Sequence, residues 1–365
     1  METELRLGLV GYGGRGRGLL QLATQSFPGV KAAAICDIDS ALLDKAKAEH
    51  PNAALFTEFD RMLDGAPFDA MLVETPAALH AEFCSKALSR NIHVMSDVPC
   101  VDTPEQAKQL WDAQARSRAF YMIGANPNMW GFVEFAVDLK RKGLLGDPYY
   151  VETEYIHDVR ELFPLTPWRE TYPSIKYCTH SLGPIMRLVD EDLEWVSCFD
   201  TGSHINRRPG QHDAMVGIFR TRSNVVVRLL TSFINNVPGC QHRYRVYGTR
   251  GYFERTPSYA GPGSAKTFYC STELSDARQL VEVPVHELRT DAASGGSDTG
   301  HGGADYALLE RFIGAVRNGQ PSPINLREAL RMSLPGIYAA QSASRGGELT
   351  RIRYPWSDER GTEPT

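Results

Sequence analysis

The feature that most constrains this chain lies at its beginning. An apolar run at 5–10 leads into Gly11-Tyr12-Gly13-Gly14-Arg15-Gly16, and residues 16–25 then repeat apolar side chains at helical spacing. A lone G-x-G-x-x-G string is a weak signal, but a strand before it and a helix after it make it a dinucleotide-binding turn. Gly11 allows the tight turn, Gly13 lets the backbone approach a pyrophosphate, and Gly16 lets helix and strand pack closely. The first N–H groups of the helix, at the positive end of its dipole, face the phosphates. Asp37 ends the second apolar run, where a carboxylate accepts hydrogen bonds from the ribose hydroxyls of NAD and repels the extra phosphate of NADP. The expected cofactor is therefore NAD, with NADP less favoured. Arg15 is the contrary sign, because a cation in this loop can hold a phosphate. Asp37 has a plainer reading too, as a cap for the turn that follows it.

Apolar runs at 5–10, 30–36, 70–74, 92–96 and 120–123 alternate with helical patterns at 16–25, 41–50, 78–90 and 104–116. Such alternation implies βαβ units, and right-handed crossovers then give an α/β, doubly wound Rossmann domain with a parallel sheet. The pattern changes after about residue 126. A helix at 130–142 is followed by period-2 runs between 149 and 283, then by helices at 304–318 and 326–343. This reads as a C-terminal α+β domain on a large, mostly antiparallel sheet. A length of 365 residues suits two domains. The expected division is 1–125 for the NAD-binding Rossmann domain, 126–356 for an α+β substrate and oligomerisation domain, and 357–365 for a polar tail. The Gly-, Ser- and Asp-rich stretch 292–303 reads as a loop.

Composition removes several alternatives. Lys and Arg total 39 against 44 Asp and Glu, a net charge of −5, which argues against nucleic acid as a partner. No apolar run reaches the ~18 residues needed to span a bilayer, so no membrane association is expected. No charged segment followed by an apolar one opens the chain, so no secretory signal is expected. Seven cysteines, none in C-x-x-C spacing, suit reduced thiols and a cytoplasmic location. No His, Cys or carboxylate set has metal-ligand spacing, so no metal is expected.

With these residues in view, the sequence resembles the glucose–fructose oxidoreductase / inositol dehydrogenase (Gfo/Idh/MocA) family. The likeness rests on the glycine turn, Cys36-Asp37, Thr75-Pro76-Ala77-Ala78-Leu79-His80 and Asp97-Val98-Pro99. It implies that Thr75, Pro76, His80, Asp97 and Pro99 line the cofactor site. It also implies a homodimer or homotetramer. One departure stands out. Dehydrogenases of this family carry Glu-Lys-Pro where this chain has Asp97-Val98-Pro99, and their lysine helps deprotonate the substrate hydroxyl. Valine cannot take a proton.

Three further segments are similar to the NAD-dependent α-N-acetylgalactosaminidase branch, which also has a Glu-Val-Pro-like sequence at the same place. They are Glu152-Thr153-Glu154-Tyr155-Ile156-His157-Asp158-Val159-Arg160, Tyr177-Cys178-Thr179-His180-Ser181-Leu182-Gly183-Pro184, and Gly300-His301-Gly302-Gly303-Ala304-Asp305-Tyr306. That likeness implies a redox-neutral cycle. A hydride leaves a ring carbon, usually C3, and the ketone acidifies the neighbouring C–H. The aglycone is eliminated, water adds, and the hydride returns, a route outside the usual two-carboxylate pattern.

The catalytic candidates follow. His180 is first, because histidine as a residue type titrates near neutrality and, by the resemblance, this one aligns with the histidine beside the reacting carbon in the family. Tyr177, three residues earlier, shares its face if the segment is helical. Lys176 is a candidate replacement for the missing lysine, against the plainer reading of a solvated side chain. Substrate candidates are Glu152, His157, Trp168, Arg169 and His301, with a small carbohydrate or glycoside as the ligand. Glu152 and His157 are five apart on one expected strand, so a regular strand places them on opposite faces. Trp168-Arg169 offers a stacking plate and a donor. Asp158 and Arg160 suit a structural pair equally well. Three functions remain: a sugar dehydrogenase that releases NADH, a redox-neutral glycosidase, and a non-catalytic dinucleotide sensor.

Overall fold

Strands covered by helices on both faces read as near-continuous apolar runs, and those of the N-terminal half do so apart from polar residues toward their ends, such as Arg6 and Lys31. The computed structural model describes residues 4–205, 207, 211–236, 241–258, 264–273, 279–285 and 301–357. In chain order its first half runs β1 (Leu5–Val10), α1 (Gly14–Ser26), β2 (Val30–Cys36), α2 (Ser40–Glu49), β3 (Ala54–Phe56), α3 (Phe59–Gly65), β4 (Ala70–Val73), α4 (Ala77–Ser89), β5 (His93–Ser96), α5 (Pro104–Arg116) and β6 (Tyr121–Ile123). The strands form one sheet in the order β3-β2-β1-β4-β5-β6, parallel throughout. The chain reverses its direction of winding between β1 and β4, which opens the crevice where such sheets bind ligands. Local chemistry sets the helix starts: the Asp39 side chain caps α2, and Thr103 caps α5 just ahead of Pro104. The sequence reading does not contain β3 and α3, because three and seven residues are too few to display a period.

The second half runs α6 (Gly131–Arg141), β7 (Pro148–Ile156), α7 (Trp168–Thr171), α8 (Thr179–Met186), β8 (Leu193–Asp200), β9 (Met215–Thr221), β10 (Val226–Ser232), β11 (Gln241–Gly248), β12 (Gly251–Arg255), β13 (Thr267–Ser271), β14 (Val281–Val283), α9 (Ala304–Asn318), α10 (Leu326–Ser344) and β15 (Thr350–Arg351). Its nine-stranded sheet is ordered β14-β13-β12-β11-β7-β10-β9-β8-β15 and is antiparallel except between β7 and β10. Alternation along β7 sends Val151, Thr153 and Tyr155 into the core and Glu152 and Glu154 to the outer face. The wholly buried α8 packs on the inner side.

Two compact units result: Met1–Asn126 with Thr290–Leu330, and Pro127–Arg289 with Arg331–Thr365. The grouping differs from the expected division at 125/126 in setting residues 290–330 with the first unit. Helix α9 returns to the first unit, where it packs on α1 and Tyr306 stacks on Phe27 with ring centroids 4.9 Å apart. Of the expected loop at 292–303 and tail at 357–365, only 301–303 and Ser357 lie within the described residues. No helix there is long and apolar enough to cross a membrane, and no three His, Cys, Asp or Glu side chains gather as metal ligands would.

Candidate functional site

The glycine turn has the geometry its sequence demands. Gly11 adopts φ +92°, and its N–H donates to Cys36 O at 2.8 Å. A methyl group on Gly11 would come within 2.5 Å of Glu74 O, and one on Gly16 would overlap the Gly11 carbonyl. A methyl on Gly13 or Gly14 meets nothing within 4 Å, so the backbone at the start of α1 is open to an approaching ligand. The Asp37 carboxylate accepts from Tyr12 N at 2.6 Å and from Asp39 N at 2.9 Å, which fixes it at the end of β2. The local turn-capping role and a ribose-binding role are thus compatible, since a carboxylate has about four lone-pair positions. These residues fit an NAD molecule.

Two expected cofactor contacts need correction. The Tyr12 side chain turns inward, fully buried, and its hydroxyl donates to Glu49 at 2.7 Å. Tyr12 therefore serves the turn through its backbone. His80 is buried with Nδ1 2.8 Å from Pro99 O and Nε2 2.7 Å from Thr75 O. The ring thus bridges the chain after β4 and the chain after β5.

Arg15 does not stand free to hold a phosphate. Its Nη1 donates to Asp305 Oδ2 at 2.5 Å, and its Nε lies 3.8 Å from both Glu74 Oε2 and Asp97 Oδ2. His301 Nδ1 is 3.0 Å from the same Asp305 oxygen, so His301, expected at the substrate, belongs to this cluster in the first unit. Burial pushes the Asp305 carboxyl up, but the hydrogen bond from His301 and the charge of Arg15 outweigh it and hold it at about 2. Glu74 behaves oppositely. Burial first, then the charges of Asp97 and Asp305, raise it well above the usual carboxylate value of 4.5 despite Arg15. Glu74 thus contributes stability that is complete below about pH 4.5 and is lost as pH rises toward its folded-state value. Measured against Glu74→Gln in thermal melts, the cofactor-free native protein should therefore lose stability progressively as pH rises above about 4.5.

The second unit gathers the proton-handling candidates. The chain turns through a 3₁₀ segment at Ser174–Tyr177 into α8, which sets Tyr177 and His180 on one side, as the spacing anticipated. Their ring centroids are 4.9 Å apart, and both are buried, His180 with 9% exposed. Tyr155, pointing inward from β7, meets His180 edge-on at 5.3 Å. Its hydroxyl lies 3.3 Å from His157 Nδ1. His242, at the start of β11, lies nearly parallel to His180 at 6.0 Å. The Arg169 guanidinium sits over both Trp168, at 4.9 Å, and Tyr177, at 5.3 Å. Lys176 directs its ammonium over the ring of Tyr172 at 5.3 Å.

Glu152 is placed elsewhere, a further correction. It lies on the outer sheet face, bound to Arg245 at 2.9 Å and accepting from Tyr150 at 2.8 Å. The parity argument separates it from His157 as expected, because β7 ends at Ile156 and His157 follows on the His180 side. Asp158 and Arg160 form the structural pair. Tyr155, His242, Glu74 and Asp305 lie outside the set of site residues expected from the sequence. Tyr155 was legible as the inward neighbour of His157 by period 2, whereas His242 carried no local signal.

Residues 5–125 match the Gfo/Idh/MocA description "oxidoreductase family, NAD-binding Rossmann fold", and residues 141–350 match its C-terminal alpha/beta domain. A glycosyl hydrolase family 109 protein of Saccharopolyspora erythraea is 26% identical, covering 94% of this chain and 82% of that protein. An alpha-N-acetylgalactosaminidase of Shewanella oneidensis is 23% identical, covering 93% and 82%. Among solved structures, levoglucosan dehydrogenase in complex with NADH and levoglucosan has a TM-score of 0.80 over 96% of this chain and 100% of that one, at 17% identity. The myo-inositol 2-dehydrogenase of Lactobacillus plantarum gives 0.77 over 96% and 100%, also at 17% identity. The structural likenesses bear on fold, and the two domain matches, which between them take in most of the chain, bear on family. The chain belongs to the Gfo/Idh/MocA oxidoreductase family, with an NAD-binding Rossmann domain followed by that family's C-terminal α/β domain.

Proposed function

We propose that this protein uses NAD to act on a hydroxyl-bearing carbon of a sugar or glycoside. The observation that carries the reading is the buried Tyr177–His180 pair, 4.9 Å between rings, set into one aromatic cluster with Tyr155. Bound NAD supplies a hydride acceptor. Gly11, Gly13, Gly14 and Gly16 would take its pyrophosphate, Asp37 its adenosine ribose, and Thr75, Pro76, Asp97 and Pro99 the far half. Oxidation of an alcohol leaves a hydroxyl proton to be removed. His180 takes that proton, in the place of the lysine that Val98 cannot replace. Arg169, Trp168 and His157 are the substrate-orienting side chains, a cation and aromatic plates suited to ring hydroxyls and C–H faces.

The redox-neutral glycosidase is the second reading, and two observations favour it. Val98 stands where a dehydrogenase lysine is expected, and two relatives spanning most of the chain are named as glycosidases. Here Tyr177 removes the acidified C–H proton next to the ketone, and the Tyr177–His180 pair returns protons as water adds. Stopped-flow mixing of NAD-loaded protein with free sugars and nitrophenyl glycosides separates the two. A lasting NADH absorbance without aglycone release marks the dehydrogenase. A transient one with many aglycones released per protein marks the glycosidase. Absence of any cofactor-linked signal overturns both readings and leaves the sensor.

Two features support NAD over NADP: Asp37 is held at the end of β2, a position suited to accepting from a ribose 2′-hydroxyl, and Arg15 is engaged by Asp305. Asp37→Ala should weaken NAD about tenfold, ~1.4 kcal/mol, and NADP much less, as measured by calorimetric titration. Equal losses would remove the ribose assignment. The free cysteines among the described residues suit a reducing, cytoplasmic setting. The outer face of the large sheet presents Phe199 and Ile218, 60% and 44% exposed, on neighbouring strands. That supports a homodimer or homotetramer, which light scattering would measure.

A further inference from the structure

We propose that Glu74, held with Asp97 and Asp305 around Arg15, is the counter-charge for the oxidised, cationic nicotinamide, so that NAD+ binds with release of one proton from Glu74 and NADH does not. The inference rests on the reading of the glycine turn as the dinucleotide site.

Position comes first. Glu74 follows β4 and Asp97 follows β5, both at the carboxyl ends of parallel strands. The dinucleotide straddles the switch point between β1 and β4, with Asp37 and β2 on the adenosine side. Glu74 and Asp97 therefore lie on the nicotinamide side. Glu74 also abuts the turn itself: its N–H donates to Val10 O at 2.9 Å, and its Cβ is 3.1 Å from the place a Gly16 Cβ would occupy.

Charge comes second. Three carboxylates share one guanidinium, and the Asp305 pair uses its close hydrogen bond. At 3.8 Å, Arg15 Nε is too far to hydrogen-bond Glu74 Oε2. Glu74 Oε2 is buried with no hydrogen-bond partner, on a side chain only 1% exposed, and Asp305 Oδ1 is buried in the same condition. A buried, unsatisfied carboxylate is costly and takes up a proton instead. The groups facing Glu74 are Arg15 from α1, Asp97 beyond β5, Asp305 at the start of α9 with His301 behind it, and the protonated thiol of Cys84 on α4. With Glu74 protonated, the two remaining carboxylates outnumber Arg15 by one, and with Glu74 ionised the three outnumber it by two. The oxidised nicotinamide ring brings a positive charge to this excess, which favours the ionised form of Glu74, and the reduced ring does not.

The linkage has a definite sign. In the pH range where Glu74 is protonated in the cofactor-free protein and ionised beside the cation, NAD+ affinity rises up to tenfold per pH unit. NADH affinity stays flat. The test is calorimetric titration of cofactor-free protein with NAD+ and with NADH, from about pH 5.5 to about pH 8.5, in two buffers of different ionisation enthalpy. We expect close to one proton released per NAD+ and none per NADH. Glu74→Gln, which keeps the shape and loses the exchangeable proton, should abolish the release and flatten the NAD+/NADH affinity ratio. Equal proton counts for the two forms in the native protein would overturn the proposal without any variant, as would a pH slope that survives in Glu74→Gln. If neither form binds, the dinucleotide-site reading fails first and the proposal falls with it.

Discussion

Replacing His180 with alanine should lower turnover by about 10²- to 10⁴-fold, the usual worth of a positioned acid–base group, while leaving NAD binding unchanged. The side chain belongs to the second unit, whereas every residue assigned to the glycine turn belongs to the first. The fold around it should survive, because His180 is tied to the sheet by its backbone: Tyr244 Oη donates to His180 O at 2.6 Å, a bond that alanine keeps. The measurement pairs steady-state rates with calorimetric NAD titration and a melting curve. Lost activity with retained binding and melting temperature assigns His180 to the chemistry. Retained activity removes it.

Gly16→Ala should cost the cofactor site about ten- to a hundredfold in NAD affinity. A methyl there overlaps the Gly11 carbonyl and lies 3.1 Å from Glu74 Cβ, so α1 must shift away from the turn. Overpacking of this kind costs roughly 1–3 kcal/mol, and every 1.4 kcal/mol is about tenfold in binding. Gly13→Ala is the informative partner. Its methyl meets nothing within 4 Å, so stability should hold, yet it occupies the path of the pyrophosphate and should lower affinity about tenfold. Melting curves of cofactor-free protein separate the variants, since Gly16→Ala alone should melt lower.

Much of this was legible because the information is local. The turn, the Asp37 position and the β–α alternation each occupy a short stretch and obey a period. Tyr177 and His180 were readable as a pair because three residues along a helical path place side chains on one face. What escaped the sequence is non-local. Arg15, Glu74, Asp97 and Asp305 come from four places along the chain: the order β1-β4-β5 in the sheet sets the first three side by side, and the return of α9 to α1 adds Asp305. That same return is what no change of pattern near residue 126 could signal. His242 meets His180 through the pairing of β11 with β7, which no spacing along the chain reveals. Glu152 shows the limit of a motif: it stands in a segment similar to the glycosidase branch, yet the strand period turns it to Arg245 on the outer face.

Stripping the protein of cofactor and incubating it with nitrophenyl α- and β-glycosides and their free sugars, with and without restored NAD, tests the need for NAD most directly. Absorbance would be followed for nitrophenolate and for NADH. Turnover, as aglycone release or as NADH, should occur only where NAD is restored and should be lost in His180→Ala. Aglycone release at the same rate without cofactor, or no signal of either kind on any sugar, would contradict that expectation.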